Sequence, residues 1–295
     1  MDLDLDAKAH LLARQDMSML PAEPAPGLHS IVMSDGPIGV RETEWSPAAP
    51  SFETERMTVI RLRRPARMKL NVHQLGNGDR TAILVHGVMS SARTWVRVAP
   101  LLAARGYRVL MPDLRGHGAS PHAASYTAED FAGDLVESLP AGADVAIGHS
   151  LGALSLSLTV AELRPAKAVY SDPAWTIGDT APLCDFGRRT KTMTREDIAA
   201  MNPRWALEDI GAEKADFSDW DVRVIDALPE LGPRAPEHPI VPSLVQAADP
   251  SFVVSPGLAA TLRHRGFEVR VVPRTGHCIH RDDLDAFMAS LHGWI

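Results

Sequence analysis

The run Gly148-His149-Ser150-Leu151-Gly152 reads G-x-S-x-G. An apolar run, Val145-Ala146-Ile147, precedes it, and a helix-like run over 153–162 follows. That is a strand, a sharp turn carrying a serine, and a helix. Side chains at the two glycine positions would collide where strand and helix come close, and the turn residue takes strained backbone geometry. A serine held this way projects its hydroxyl out of the backbone, so the motif predicts a nucleophile at Ser150. The competing reading is a plain glycine-flanked turn, and partners elsewhere in the chain decide between the two.

The rhythm around this motif is that of an α/β protein. Strands are expected at 57–62, 68–75, 81–85, 107–111, 145–147, 166–170, 240–247 and 268–272, and helices at 91–104, 127–139, 153–162, 258–265 and 284–291. Thr127 with Asp130 three residues on marks a helix start. Strands alternating with helices imply a mostly parallel sheet covered on both faces, with interior strands that are apolar throughout. The rhythm lapses after Asp172-Pro173 and resumes near residue 240. The intervening stretch, 173–239, is rich in Pro and Asp, holds Trp175, Trp205 and Trp220, and has helix-like pieces at 195–201 and 205–210. An insertion at the end of a sheet where loops carry function predicts a mainly helical lid. Residues 1–56 form a Pro-rich arm, free to wrap the core, cover the site or contact a second subunit in a homodimer. Residues 57–172 and 240–295 form the core.

Bulk properties exclude several classes. The 295 residues carry 30 basic and 37 acidic side chains, a net charge of −7, which gives no footprint for nucleic acid. No apolar run approaches the roughly 20 residues needed to span a bilayer. The start, Met1-Asp2-Leu3-Asp4-Leu5-Asp6, is acidic and lacks the apolar core of a secretory signal. Cys184 and Cys278 are the two cysteines, too few for a disulfide framework. These features fit a cytoplasmic protein acting on a small molecule.

A serine hydroxyl needs a base, and the base needs an orienter. In the fold that the elbow suggests, the chain order is serine, acid, histidine. His277, in Thr275-Gly276-His277-Cys278-Ile279-His280, lies after the last apolar strand and before the C-terminal helix, where catalytic groups collect in open α/β sheets. His280 is its rival, expected at a helix start and partly exposed. The H-x-x-H spacing, with Asp282 nearby, also admits a metal, but no third ligand motif supports one, and no cofactor is implied. Asp249, ending the strand after the insertion, is the favoured acid because it lies nearer His277. Asp172, ending the strand before the insertion and also followed by proline, is the alternative. The acid would hold the imidazole tautomer and stabilise the imidazolium. An oxyanion hole needs two backbone N–H donors. Leu151, directly after the serine, supplies one. The loop after His86-Gly87 supplies the other through Val88, with Met89 as the alternative.

With these segments in view, 57–295 resembles the α/β-hydrolase superfamily. The likeness rests on His86-Gly87, Asp113-Leu114-Arg115-Gly116-His117-Gly118-Ala119-Ser120, Gly148-His149-Ser150-Leu151-Gly152-Ala153, Asp249 and Gly276-His277. The D-x-R-G-x-G-x-S loop is characteristic of the branch containing small esterases, cofactor-free haloperoxidases and epoxide hydrolases. The resemblance implies Ser150 as nucleophile, His277 as base and Asp249 as acid. Epoxide hydrolases and haloalkane dehalogenases use an aspartate nucleophile, so Ser150 argues against both. Asp113 and Arg115 are expected to tie their loop down.

The expected reaction is hydrolysis of an ester, thioester or lactone through an acyl-enzyme. Met89, Trp95 and Trp175 are candidate contacts to an apolar or aromatic acyl group, the alternative being that they seal insertion against core. Two other classes share the sequence features: a C–C hydrolase or biosynthetic lyase or cyclase using the same triad, and a ligand-binding protein that kept the fold.

Overall fold

A computed structural model describes residues 67–295, so the arm at 1–56 and the strand expected at 57–62 lie outside the described residues. Seven strands form one sheet in the order β1-β3-β2-β4-β5-β6-β7. They are β1 (Val72–Leu75), β2 (Arg80–Val85), β3 (Tyr107–Pro112), β4 (Val145–His149), β5 (Ala168–Ser171), β6 (Ser243–Asp249) and β7 (Glu268–Pro273). Among the described strands only β1 runs antiparallel, against β3; the other pairs are parallel.

The side-chain alternation of the central strands builds two cores. Ile83, Val85, Ala146 and Tyr170 face one side, and Ala82, Leu84, Val145, Ile147 and Val169 face the other. Strands covered on both faces carry no polar alternation, which is why β4 is buried along its whole length. The helices that cover them are α1 (Val98–Ala103), α2 (Ala128–Ser138) and α3 (Leu151–Leu163) from the first half of the chain. Phe131 and Leu135 of α2 and Leu154 of α3 pack on the first face. Trp95, Val98 and Leu102 pack on the second, together with Phe287 and Leu291 from the C-terminal end. Each such side chain taken from water stabilises the fold by about 1.5–3 kcal/mol.

Two expected elements are shorter than their apolar runs, for local reasons. Residues 68–71 do not join β1, because side chains capture their backbone donors: Met68 N–H bonds Asp134 Oδ1 at 2.7 Å, Leu70 N–H bonds Ser138 Oγ at 2.8 Å and Asn71 N–H bonds Ser120 Oγ at 2.8 Å. The helix expected at 91–104 divides into a 3-10 turn, Ala92–Trp95, and α1. Pro100 has no N–H for a continuous helix, but in the first turn of α1 no such donor is needed. Thr127 does cap α2, in a reciprocal box with Asp130.

Between β5 and β6 the chain forms α4 (Ala181–Thr190), α5 (Arg195–Met201), α6 (Leu207–Asp219) and α7 (Arg223–Ala227). Their apolar residues, among them Ile198, Ile210, Phe217 and Ile225, join the first core. After β6 come α8 (Pro256–His264), then β7, α9 (Ile279–Asp282) and α10 (Leu284–Ser290). Among the described residues no helix is long and apolar enough to cross a membrane.

Candidate active site

The elbow follows from close backbone packing. A Cβ on Gly148 would lie 2.6 Å from Gly152 O and 2.7 Å from Ala153 N, and one on Gly152 would lie 2.3 Å from His86 O and 2.4 Å from Val85 O. Those neighbours are backbone and cannot swing away. Ser150, between them, sits at φ 52°, ψ −117°, a conformation that costs a non-glycine residue about 1–3 kcal/mol. The surroundings hold it there. Ser150 N–H donates to Ser171 O at 3.1 Å, and Ser150 O accepts from Ala153 and Leu154 N–H at 3.0 and 3.1 Å.

His277 lies on the loop after β7, against the residue that precedes Ser150. The His149 and His277 rings are 4.7 Å apart, and His149 Nε2–H donates to His277 O at 2.9 Å. His277 Nδ1 is 2.7 Å from Asp172 Oδ2. A carboxylate only accepts, so Nδ1 carries a proton, and in the neutral imidazole Nε2 is the acceptor. Asp172 is fully buried and stands at φ 42°, just past β5. Its N–H bonds Gln246 O at 2.7 Å, and its other carboxylate oxygen accepts Ala248 N–H at 3.1 Å. Two positions on β6 thus aim the carboxylate at the imidazole.

Asp249 is not the partner of His277. Strand β6 runs two residues beyond its expected end at 247, so Asp249 is still in the strand, paired with Pro273, and its side chain is exposed. Ser171-Asp172-Pro173 and Ala248-Asp249-Pro250 are locally alike; the register of β5 on β6 separates them, and no local signal in the sequence reports it. His280 also departs from expectation. It is buried, with Nε2 2.8 Å from Thr94 Oγ1 and its ring 4.6 Å from Trp95.

The loop after β2 brings backbone donors beside Ser150. A Cβ on Gly87 would lie 3.1 Å from Ser150 Cβ. His86 fixes the Gly87–Val88 peptide: its Nε2 accepts Leu114 N–H at 2.9 Å, so Nδ1 carries hydrogen and donates to Gly87 O at 2.7 Å. In a trans peptide the carbonyl and the following N–H point opposite ways. Pinning Gly87 O therefore sets the direction of Val88 N–H. Met89 N–H is committed to His117 Nε2 at 3.2 Å, which leaves Val88 as the donor of this loop. Neither Val88 N–H nor Leu151 N–H donates to a described residue; the latter is an unused first-turn donor of α3. Burial pushes His86 down to about 4 and His117 down to about 3, so both imidazoles are neutral near pH 7.

Asp113 and Arg115 do tie their loop down. Asp113 accepts Ala92 N–H at 2.8 Å and Ala119 N–H at 3.0 Å, and Arg115 grips Asp134 through two 2.7 Å bonds.

Of the three candidate acyl contacts, Met89 is on the loop after β2 that approaches Ser150. A Cβ on Gly187 of α4 would lie 3.1 Å from Met89 Sδ, so Met89 bridges the loop after β2 and the inserted helices. Trp95 is fully buried in the core on the opposite face of the sheet, with Phe287. Trp175 packs on Tyr170 and Phe267 at centroid distances of 4.9 and 5.8 Å and donates its indole N–H to Ser157 Oγ at 3.0 Å. Both are core residues; nearness in sequence to a site element did not reveal which face they serve. One residue absent from the expectations flanks His277, and a second packs on the inserted helices. Phe252, on the loop after β6, lays its ring 4.6 Å from that of His277. Ile225 of α7 packs against Gly187.

The model of the alpha/beta hydrolase family matches residues 82–290. The chain is 39% identical over 89 residues to a pyrethroid hydrolase of Sphingobium wenxiniae, which covers 29% of this chain and 31% of that protein. It is 33% identical over 124 residues to an epoxide hydrolase of Caballeronia sordidicola, covering 39% of this chain and 37% of that one. These matches span about a third of the length of the two relatives. A solved marine microorganism esterase superposes with a TM-score of 0.62 at 20% identity, covering 77% of this chain and 99% of that one, a likeness of fold.

Proposed function

The chain belongs to the alpha/beta hydrolase family, and on that premise we propose that it is a serine hydrolase cleaving an ester, thioester or lactone through an acyl-enzyme on Ser150. The observation that carries this reading is the 2.7 Å bond from His277 Nδ1–H to Asp172 Oδ2, with His277 packed on His149, the neighbour of a serine held in a strained elbow. His277 Nε2 takes the Ser150 proton as Oγ attacks the carbonyl carbon. The resulting imidazolium is stabilised by Asp172. The oxyanion is received by Val88 and Leu151 N–H, donors fixed before the substrate arrives. Collapse of the intermediate breaks the bond to the leaving group, which takes the proton from His277. Water then attacks the acyl-enzyme with His277 again as base, releasing the acid and restoring Ser150.

In this reading the inserted helices α4–α7 act as a lid. Ser150 is only 5% exposed beneath the surrounding elements. Phe252 against His277 and Met89 on the loop after β2 supply apolar and aromatic groups, which favours an apolar or aromatic acyl group over a charged one. Ser150 at the elbow, in place of a carboxylate, argues against the epoxide opening named for one relative.

The test is covalent labelling by a fluorophosphonate. The wild-type protein is expected to label at one site, with labelling lost in Ser150→Ala. Folded wild-type protein that resists labelling would overturn the proposal. Medium-chain or aromatic esters are expected to exceed acetates in kcat/KM, and a flat chain-length profile would overturn the apolar-acyl part.

A further inference from the structure

The loop carrying His277 is gripped by two neighbouring residues of the insertion. Trp205, just before α6, donates its indole N–H to Asp282 Oδ1 at 2.8 Å. The other oxygen of the same carboxylate accepts the N–H of Gly276, the residue preceding His277. Arg204 donates to Arg274 O on the far side of the loop and stands 3.8 Å from Asp282 Oδ2. The clamp is close-fitting: a Cβ on Gly276 would meet Asp282 Oδ2 at 3.0 Å. Arg274, at φ 58°, shows that the turn holds a conformation that local preference disfavours. The Trp205 ring is itself held under the buried Arg281 guanidinium, 4.7 Å from its centroid, and Arg281 pairs with Glu213 of α6. The other end of α6 is fastened beside the oxyanion loop, where Asp216 accepts from Ser91 Oγ at 2.5 Å and Arg93 Nη1 at 3.0 Å.

We infer that Trp205 is a positioning residue for the general base: through Asp282 and the Gly276 N–H it aligns His277, so that seating of the insertion and alignment of the base are one event. This rests on the hydrolase reading above. Nothing in the elbow or the Asp172–His277 pair requires an inserted tryptophan to hold the histidine loop. The bonds make it do so, and they tie the most variable kind of segment, an insertion, to the least tolerant geometry in the site.

The test compares Trp205→Phe with Trp220→Phe in the full chain. Trp205→Phe keeps an aromatic ring near Arg281 while removing the N–H together with part of the indole, and Trp220→Phe controls for the lost ring volume. Trp220 loses the same group, but its N–H bonds Thr190 Oγ1 within the insertion, at 3.3 Å. Trp205→Phe is expected to lower kcat roughly 10- to 100-fold with KM little changed, the effect of a small misplacement of a reacting group. Trp220→Phe is expected to leave kcat unchanged. Asp282→Asn, in which one acceptor becomes a donor facing an N–H, should reproduce the fall. The downfield proton resonance of His277 Nδ1–H, identified by its loss in Asp172→Asn, should broaden in Trp205→Phe and stay sharp in Trp220→Phe. That signal does not depend on turnover. An inert wild-type protein with the predicted resonance changes would therefore count against the hydrolase reading and leave the clamp standing. Unchanged kcat and an unchanged resonance in folded Trp205→Phe would overturn the clamp. So would a change confined to KM or to melting temperature.

Discussion

His277 and Asp172 meet across the crevice at the C-terminal ends of the parallel strands, one from the loop after β7 and the other from the end of β5, with Nδ1–H bonded to Oδ2 at 2.7 Å. Strand β6 lies between those two strands in the sheet. It contributes the Ala248 N–H and Gln246 O that aim Asp172, but not the carboxylate that meets His277.

The pair makes a sharp prediction. Asp172→Asn removes the carboxylate that fixes the imidazole tautomer and is expected to lower kcat by about 10⁴-fold. Asp249→Asn, at an exposed position, is expected to change kcat by less than a few-fold. Steady-state kinetics on one activated ester measures both. The reverse ranking would return the acid's role to Asp249.

Gly152→Ala tests the packing that creates the elbow. The new methyl would meet backbone oxygens of Val85 and His86 at 2.4 and 2.3 Å. Because these belong to β2 and the loop that follows it, relief must move one of them. A loss of at least about 1–3 kcal/mol is expected, the usual cost of overpacking, together with loss of fluorophosphonate labelling. Urea denaturation and labelling of the same preparation check it, and wild-type values in both would refute the account.

What the sequence revealed, and what it hid, divides along local and non-local physics. The elbow, the helix cap at Thr127 and the apolar central strands rest on short-range sterics and burial, and each reads directly from a few adjacent residues. The choice between Asp172 and Asp249 rests on register between β5 and β6, which no short window contains. Trp95 and Trp175 show the same limit. Each neighbours a site element in the chain, yet one fills the core behind the sheet beside Phe287 and the other packs against Tyr170 and Phe267. The Trp205–Asp282 bond joins residues 77 apart and had no signal in the sequence pattern.

Gly187 packs against Ile225 and Met89, and in the proposed reading it bounds the space for the acyl group. A Cβ there would lie 1.7 Å from Ile225 Cδ1 and 3.1 Å from Met89 Sδ. Both neighbours are ends of flexible side chains and can shift, so Gly187→Ala should fold. The shift takes space from the acyl group. kcat/KM for a bulky acyl ester is expected to fall roughly tenfold more than for an acetate, the scale of one methylene in an apolar pocket. Trimming Ile225 to Val in the same chain should restore part of the loss, because the two positions share one space. Equal losses for both esters would remove Gly187 from the specificity of the site.

His86 and His117 give the protein an acid limit. Burial lowers them to about 4 and about 3 in the folded state, whereas in the unfolded chain each protonates near 6.5. Between these values the unfolded chain binds more protons, so stability rises with pH there. The contribution is fully present above about pH 6.5 and is lost as pH falls through about 4 and about 3. At roughly 1.4 kcal/mol per pH unit of separation, each histidine contributes on the order of a few kcal/mol. Melting temperature is expected to drop steadily from pH 7 to pH 4.5. His117→Gln, whose amide can accept Met89 N–H and donate to Arg115 O, should flatten that slope while keeping the loop in place. The same imidazoles hold the Gly87–Val88 peptide and Met89. Their protonation in the folded state would therefore release the Val88 N–H, and fluorophosphonate labelling of the folded protein should fail only as pH falls through about 4 and about 3, below the range in which the melting temperature first drops. An equal slope in His117→Gln and wild type would show that other groups set the limit.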